Sequence, residues 1–239
     1  MIKNIKEIKS NPLSSFPNKK IITSKQNSEY WDYDYNVPYK KQVIDKPTRD
    51  GLILEYLFSE KDTDAIYDSS GNNHFGFLSD KTTFKLLDAP IGNSFCFDGT
   101  ANYINTNYVP SQSLTISCWA KGNILNAAST VLFGQTTTDN RLYVGYDADG
   151  KLGIGIGTSA YNTGSVSSYI DKEWHHYVLT VSSSSSNLYL DGILMITKNV
   201  ATMPTNTIYI GANNNAGAAA TFFYGQIALF RVYNRILSL

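Results

Sequence analysis

From Gly51 onward, hydrophobic and polar positions alternate in short runs broken by turn residues. Leu52-Ile-Leu-Glu-Tyr-Leu-Phe58, Ser94-Phe-Cys-Phe97, Leu114-Thr-Ile-Ser-Cys-Trp119 and Trp174-His-His-Tyr-Val-Leu-Thr-Val181 are rich in β-branched and aromatic residues and read as strands. Arg141-Leu-Tyr-Val-Gly-Tyr146 and Leu152-Gly-Ile-Gly-Ile156 flank Asp147-Ala-Asp-Gly150, which predicts a hairpin. Leu188-Tyr-Leu190 and Ile193-Leu-Met-Ile196 are joined by Asp191-Gly192, a strong hairpin signal because a type I′ turn needs positive φ at both central residues. Ser182–Ser186 reads as a turn. Asn213–Ala220 reads as a small-residue loop between Ile208-Tyr-Ile210 and Ile227-Ala-Leu-Phe-Arg-Val-Tyr233. No helical period extends beyond a turn. About a dozen strands over roughly 190 residues predict an all-β fold, an antiparallel β-sandwich of jelly-roll size.

The first 50 residues hold neither period. Ile2, Ile5 and Ile8 mark two helical turns, too short to be stable alone. Asn11-Pro12 and Phe16-Pro17 then interrupt any regular element. Tyr30-Trp-Asp-Tyr-Asp-Tyr-Asn-Val-Pro-Tyr39 is densely aromatic. The chain therefore divides into an extended N-terminal arm, 1–50, and a domain, 51–239. Charge divides at the same place. The arm holds ten basic and six acidic residues, +4, and the domain ten and fourteen, −4. Tyr30, Trp31, Tyr33, Tyr35 and Tyr39 bury much area wherever a surface receives them. That surface is either the arm's own domain or another subunit, and an anchoring role assigns it to another subunit.

Over all 239 residues the formal charge is zero and only 17% of residues are charged, which argues against a nucleic-acid partner. Hydrophobic residues at 42% exclude a wholly disordered chain. No apolar run reaches the roughly 18–20 residues of a membrane span, so no membrane insertion is expected. The N-terminus lacks the apolar stretch of a secretory signal. Cys96 and Cys118 both sit in strand-like runs and read as two buried reduced thiols, with one bridge between neighbouring strands as the other reading.

Several of these pieces, in order, carry a resemblance: Leu52–Phe58, Asp68-Ser-Ser-Gly-Asn-Asn-His74, Phe97-Asp-Gly99 with Tyr103, Leu114–Trp119, Trp174-His-His-Tyr-Val178, Leu188-Tyr-Leu-Asp-Gly192, Ile210-Gly211 and Phe230-Arg-Val-Tyr-Asn-Arg235. Residues 51–239 resemble a laminin-G-like domain of the concanavalin A-like jelly-roll superfamily. The resemblance implies the fold. It also implies that Trp119 and Trp174 serve the core, and it leaves function to the site. Many relatives bind calcium through oxygens on rim loops. Here Asp68 and Asn72 or Asn73 offer such oxygens, but Gly225-Gln-Ile-Ala-Leu229 lacks the carboxylates expected on the closing strand. The other reading is that Asp68 and Asn72 hydrogen-bond their own turn. No resident cofactor is expected.

Catalytic patterns are missing from the sequence. Jelly-roll glycosidases carry paired carboxylates on one strand, whereas the five glutamates here (Glu7, Glu29, Glu55, Glu60, Glu173) lie far apart. His175 and His176 are adjacent on a strand and point to opposite faces. Gly153-Ile-Gly-Ile-Gly157 is a glycine-alternating strand, with no Lys-Ser/Thr after it to make a phosphate loop. The expectation is a non-catalytic, lectin-like module. Loop residues Tyr103, Tyr108, Asp139, Asn140, Tyr161 and Asn162 are candidates to hold a glycan or host-surface ligand. The arm would be anchored to a larger assembly such as a phage virion, on a capsid or tail subunit. The alternative is a purely structural decoration or cement protein without a glycan ligand.

Overall fold

The computed structural model describes residues 48–59, 65–80, 85–111, 113–122, 129–137, 140–163, 171–199 and 202–238, with the backbone alone of 159–163. The arm residues Tyr30, Trp31, Tyr33, Tyr35 and Tyr39 lie outside the described residues, as does Asp139.

The strands follow in chain order as β1 Leu52–Tyr56, β2 Ala65–Ile66, β3 Gly76–Leu78, β4 Lys85–Asp88, β5 Asn93–Asp98, β6 Ile104–Asn105, β7 Leu114–Gly122, β8 Thr130–Thr136 and β9 Arg141–Tyr146. They continue as β10 Leu152–Gly157, β11 Ser159–Thr163, β12 His175–Val181, β13 Ser185–Leu190, β14 Ile193–Asn199, β15 Tyr209–Ile210, β16 Asn213–Asn215, β17 Ala218–Ala220 and β18 Tyr224–Tyr233. No helix occurs among the described residues. One sheet runs β14-β13-β12-β7-β18-β5-β4, and β1 also pairs with β18. β18 is long enough to hold β5 along its first half and β1 along its second. The other sheet runs β11-β10-β9-β8-β15-β6-β3-β2, with the β16–β17 hairpin branching from β8. The two sheets stack as a jelly-roll sandwich.

Alternation places the core between the sheets. On β7, Leu114, Ile116, Cys118 and Ala120 face inward; on β9, Leu142, Val144 and Tyr146 do; on β10, Leu152, Ile154 and Ile156 do. Phe97, Phe133, Phe223 and Phe230 fill the middle. Tyr146 on one sheet and Tyr177 on the other share a hydrogen bond between their buried hydroxyls. Desolvation raises the pKa of both phenols, and for Tyr146 it outweighs the lowering by that hydrogen bond.

Three sequence expectations need correction. Asn213–Ala220 is not a loop but a hairpin, closed by Ala216 and Gly217 at positive φ and by the Gly217 amide donating to Asn214 Oδ1 at 2.8 Å. Its Asn and Ala residues have low strand propensity, which hid it. Of Ser182–Ser186, the last two belong to β13, and Ser182 Oγ closes the turn by accepting the Ser184 and Ser185 amides. Finally, Cys118 is buried, but Cys96 is only half-buried. β18 separates their strands, so both thiols are free and no bridge joins them.

Candidate functional site

On the outer face of the β11–β2 sheet, the register lines up one row of residues from six neighbouring strands. Phe77 pairs with Asn105, Asn105 with Tyr209, Tyr209 with Gly134, Gly134 with Tyr143, and Tyr143 with Gly155. Strand alternation fixes which way the rings point. Tyr209 lies between the core residues Ile208 and Ile210, and Tyr143 between Leu142 and Val144, so both rings face away from the core. Phe77 is 50% exposed. The Tyr103 ring stacks on Tyr209 at a 4.6 Å centroid distance and 19°, with Phe222 tilted beside it at 6.5 Å. Tyr209 is only 6% exposed and donates its hydroxyl to the Gly217 carbonyl of the β16–β17 hairpin at 3.4 Å, while Tyr103 is half-buried.

Two glycines flank Tyr143 in this row, and Asn213 of β16 also pairs with one of them, Gly134. A Cβ on Gly155 would fall inside the Tyr143 ring, and one on Gly134 would strike the Tyr143 Cβ. Glycine at both positions lets Tyr143 lie flat against the sheet. Burial raises the Tyr143 phenol pKa, opposed by the nearby Arg141 charge. Tyr209 is raised by burial and then by Tyr103. No residue of the row carries a charge at neutral pH.

Of the residues proposed from sequence, Tyr103 belongs to this face. Tyr108 is instead core: 8% exposed, packed edge-on against His74 at 5.1 Å, its phenol pKa raised by burial. It therefore offers almost no ring surface. Asn140 sits at the β8–β9 turn and accepts a hydrogen bond from Thr202 Oγ1. That turn is at the opposite end of the strands from Tyr103, so the two do not form one site. Tyr161 and Asn162 lie on β11, with Asn162 paired to Ile154 beside the row; their side chains are not among the described residues. Sequence reasoning missed Phe77, Tyr143, Tyr209 and Phe222, because only strand pairing makes them neighbours.

The Asp68 loop is filled by its own chain. Asp68 Oδ1 accepts the amides of Glu55 and Ser70, and Oδ2 accepts the Ser70 hydroxyl and the His74 amide, at 2.8–3.0 Å. Asn72 Nδ2 donates to the Leu52 and Ile53 carbonyls at 3.0 Å. The motif ties residues 68–74 to β1, and four donors surround the one carboxylate in the loop. Among the described residues no group of three or more His, Cys, Asp or Glu side chains is arranged to hold a metal.

The opposite sheet has its own polar features. Glu55 is fully buried on β1, with its carboxylate held by Arg231 Nε at 2.8 Å and Arg49 Nη1 at 3.3 Å. Trp119 and Trp174 are half-buried, and Trp119 stacks outward on His176 at 5.2 Å rather than entering the core. At the rim, His175 Nδ1 meets Asp191 Oδ2 at 2.6 Å and Nε2 meets Asp171 at 3.2 Å. Partial burial opposes charge on His175, yet the bonds to Asp191 and Asp171 prevail and its pKa is raised. His176, by contrast, is lowered chiefly by burial.

The sandwich is similar to solved structures at identities that speak to fold alone. One is the binding domain of Paraclostridial mosquitocidal protein 1, with TM-score 0.61 and 18% identity over 80% of this chain and 50% of that one. A second is domain 4 of AbnA, an extracellular arabinanase of Geobacillus stearothermophilus solved with arabinotriose, with TM-score 0.58 and 22% identity over 78% and 94%. A third is the receptor-binding domain of botulinum neurotoxin D, with TM-score 0.60 and 16% identity over 80% and 50%. The chain thus spans about half the length of the two toxin domains. Comparison with curated proteins gives no match. The family model described as the concanavalin A-like lectin/glucanases superfamily matches residues 98–239. That match covers more than half of the chain and its fold is the sandwich described above, so the chain belongs to the laminin-G-like branch of the concanavalin A-like lectin/glucanases superfamily.

Proposed function

We propose that the chain is a non-catalytic, lectin-like module that binds carbohydrate, free or on a cell surface. The observation that carries this reading is the uncharged aromatic row of Phe77, the Tyr103–Tyr209 stack and Tyr143. Aromatic faces suit the apolar faces of sugars, and Asn105 supplies a polar partner among them. The arabinanase domain solved with arabinotriose supports a carbohydrate ligand, and the binding domains of the two toxins support a binding role. A non-catalytic role is supported by Glu55, whose carboxylate is clamped between two guanidiniums.

Residues 1–50 anchor the module to a larger assembly such as a phage virion, as a head fibre, head decoration or tail protein. Tyr30, Trp31, Tyr33, Tyr35 and Tyr39 dock on a capsid or tail subunit. The support is physical. A flat sugar site binds weakly, and display in many copies raises apparent affinity by roughly 10²–10⁴ without new contacts.

Two measurements test the reading separately. Full-length protein clustered on beads is applied to arrayed glycans and to bacterial cells, and specific retention is expected; retention on neither refutes the lectin assignment. For the anchor, the Trp31→Ala/Tyr33→Ala double variant should lose incorporation into particles while its melting stays unchanged. Normal incorporation of that variant refutes the anchor.

A further inference from the structure

Resting on the reading of residues 1–50 as an anchor, we infer that the root of the arm, residues 48–51, is a mechanical latch that passes tension from the arm to the closing strand β18 before the first rung of β1 is pulled. The bonds of the root carry this inference. Arg235, just past β18, donates from Nε to the Asp50 carbonyl at 2.8 Å, pairs with the Asp50 carboxylate at 3.2 Å, and donates from Nη2 to Thr48 Oγ1 at 3.4 Å. The Asn234 amide donates to the Gly51 carbonyl at 2.8 Å. Gly51 has a φ of +75° and sits so close that a Cβ there would lie 2.8 Å from Asn234 Oδ1 and 3.0 Å from the Arg235 side chain. A second fastening runs inward. Arg49 reaches Glu55 Oε2 at 3.3 Å and donates to the Ser69 carbonyl. Glu55 is fully buried and is held from the other side by Arg231 of β18 at 2.8 Å.

The position of these bonds matters more than their number. β1 and β18 are antiparallel, and the first residue of their ladder, Leu52, pairs with Tyr233. Tension on the arm therefore arrives at one end of the ladder. Rungs loaded from one end open one after another rather than together, so the bonds ahead of the first rung decide when opening starts. All three contacts of Arg235 lie ahead of it. Beyond the latch, β18 pairs with β7 on one side and with β5 and β1 on the other, so tension delivered to it is shared among three strands. The aromatic row lies on the opposite sheet, so a tether between ligand and anchor pulls through this root and across the sandwich. At rest the latch contributes little. The Arg235 and Asp50 side chains are 38% and 82% exposed, and water and salt weaken such a pair.

The test is constant-force spectroscopy on the full-length protein in two pulling geometries. One joins the N-terminus to a handle at position 149, in the exposed β9–β10 turn of the sheet that carries the row. The other joins position 149 to position 183, in the exposed β12–β13 turn, and bypasses the root. Lifetimes under force report the unfolding rate. Arg235→Ala should shorten the lifetime roughly fivefold in the first geometry, the upper end for one exposed ion pair, and leave the second unchanged. Its melting should fall by only about 2 °C. Equal shortening in both geometries would show that Arg235 stabilises the whole domain, which overturns the latch; an unchanged lifetime in the first geometry overturns it too. The anchor reading is decided apart from this, by particle incorporation of the Trp31→Ala/Tyr33→Ala variant, whose failure would not alter the lifetimes measured here.

Discussion

Replacing Asp68 with alanine should destabilise the domain by about 3–4 kcal/mol, independently of calcium. The figure rests on where its hydrogen bonds go. Of the four donors on the carboxylate, the two that belong to Ser70 lie in the loop itself, where water can replace the acceptor. The Glu55 amide belongs to a buried strand, and the His74 amide closes the loop behind the half-buried His74 ring. Each is a hydrogen bond to a charged acceptor, worth about 1.5–3 kcal/mol, and losing it leaves a donor unmet. Counting these two at the lower half of that range gives the estimate. For a domain of this size it corresponds to a drop of roughly 10 °C in Tm. Asp68→Asn keeps one oxygen acceptor but turns an NH₂ toward a donor, so it should lose about half as much. Equilibrium denaturation in guanidinium, with added calcium and with excess chelator, provides the measurement. A loss below about 1 kcal/mol would show that the loop is not what ties 68–74 to β1. A loss that appears with calcium and vanishes in chelator would show that Asp68 is a metal ligand.

Two other predictions concern buried and rim groups. Tyr177→Phe should cost about 1–3 kcal/mol by stranding the Tyr146 hydroxyl between the sheets, while Tyr146→Phe/Tyr177→Phe together should cost less than the sum of the single changes; additive single changes in a denaturation cycle would show that the two hydroxyls do not depend on each other. His175→Gln should destabilise most at mildly acid pH. The raised pKa of His175 makes its contribution complete below the free imidazole value of about 6.5 and lost as pH rises through the folded value, whereas the lowered pKa of Asp171 removes its own share only in strong acid. Melting of parent and variant from pH 4 to 9 gives the difference, and a deficit that widens above pH 7 refutes the clamp.

The fold was readable because local rules and the global layering agree. Arg141–Tyr146 alternates hydrophobic and polar residues, and β9 has those bounds. Asp191-Gly192 meets the φ requirement of its turn, with both residues observed at positive φ. Leu114–Trp119 alternates into the core as far as Ala120. Where the rule was overridden, the cause was tertiary. The resemblance assigned Trp119 to the core, but the alternation that sends Leu114, Ile116 and Cys118 inward turns Trp119 to the outward side of β7, opposite His176. Asn213–Asn215 forms a strand because β8 offers it a ladder, not because asparagine favours one.

The candidate site was less legible, and the reason lies in how a sheet assembles its faces. Choosing loop aromatics and amides found Tyr103, but it also chose Tyr108, which the fold buries, and Asn140, which the fold sends to the other end of the strands. Phe77 and Tyr209 are 132 residues apart in sequence and two strands apart in space. Nothing local in Gly76-Phe-Leu78 or Tyr209-Ile210 marks either residue as half of a pair. Gly153-Ile-Gly-Ile-Gly157 was the one local signal of this face. Residues that alternate glycine with isoleucine fill the core on one side and leave the other bare, and a bare strand has a use only if something lies on it. In the folded domain Tyr143 lies there, its ring flat over Gly155. The glycine is thus as much a part of this face as the ring, since any side chain at 155 would drive Tyr143 off the strand it covers.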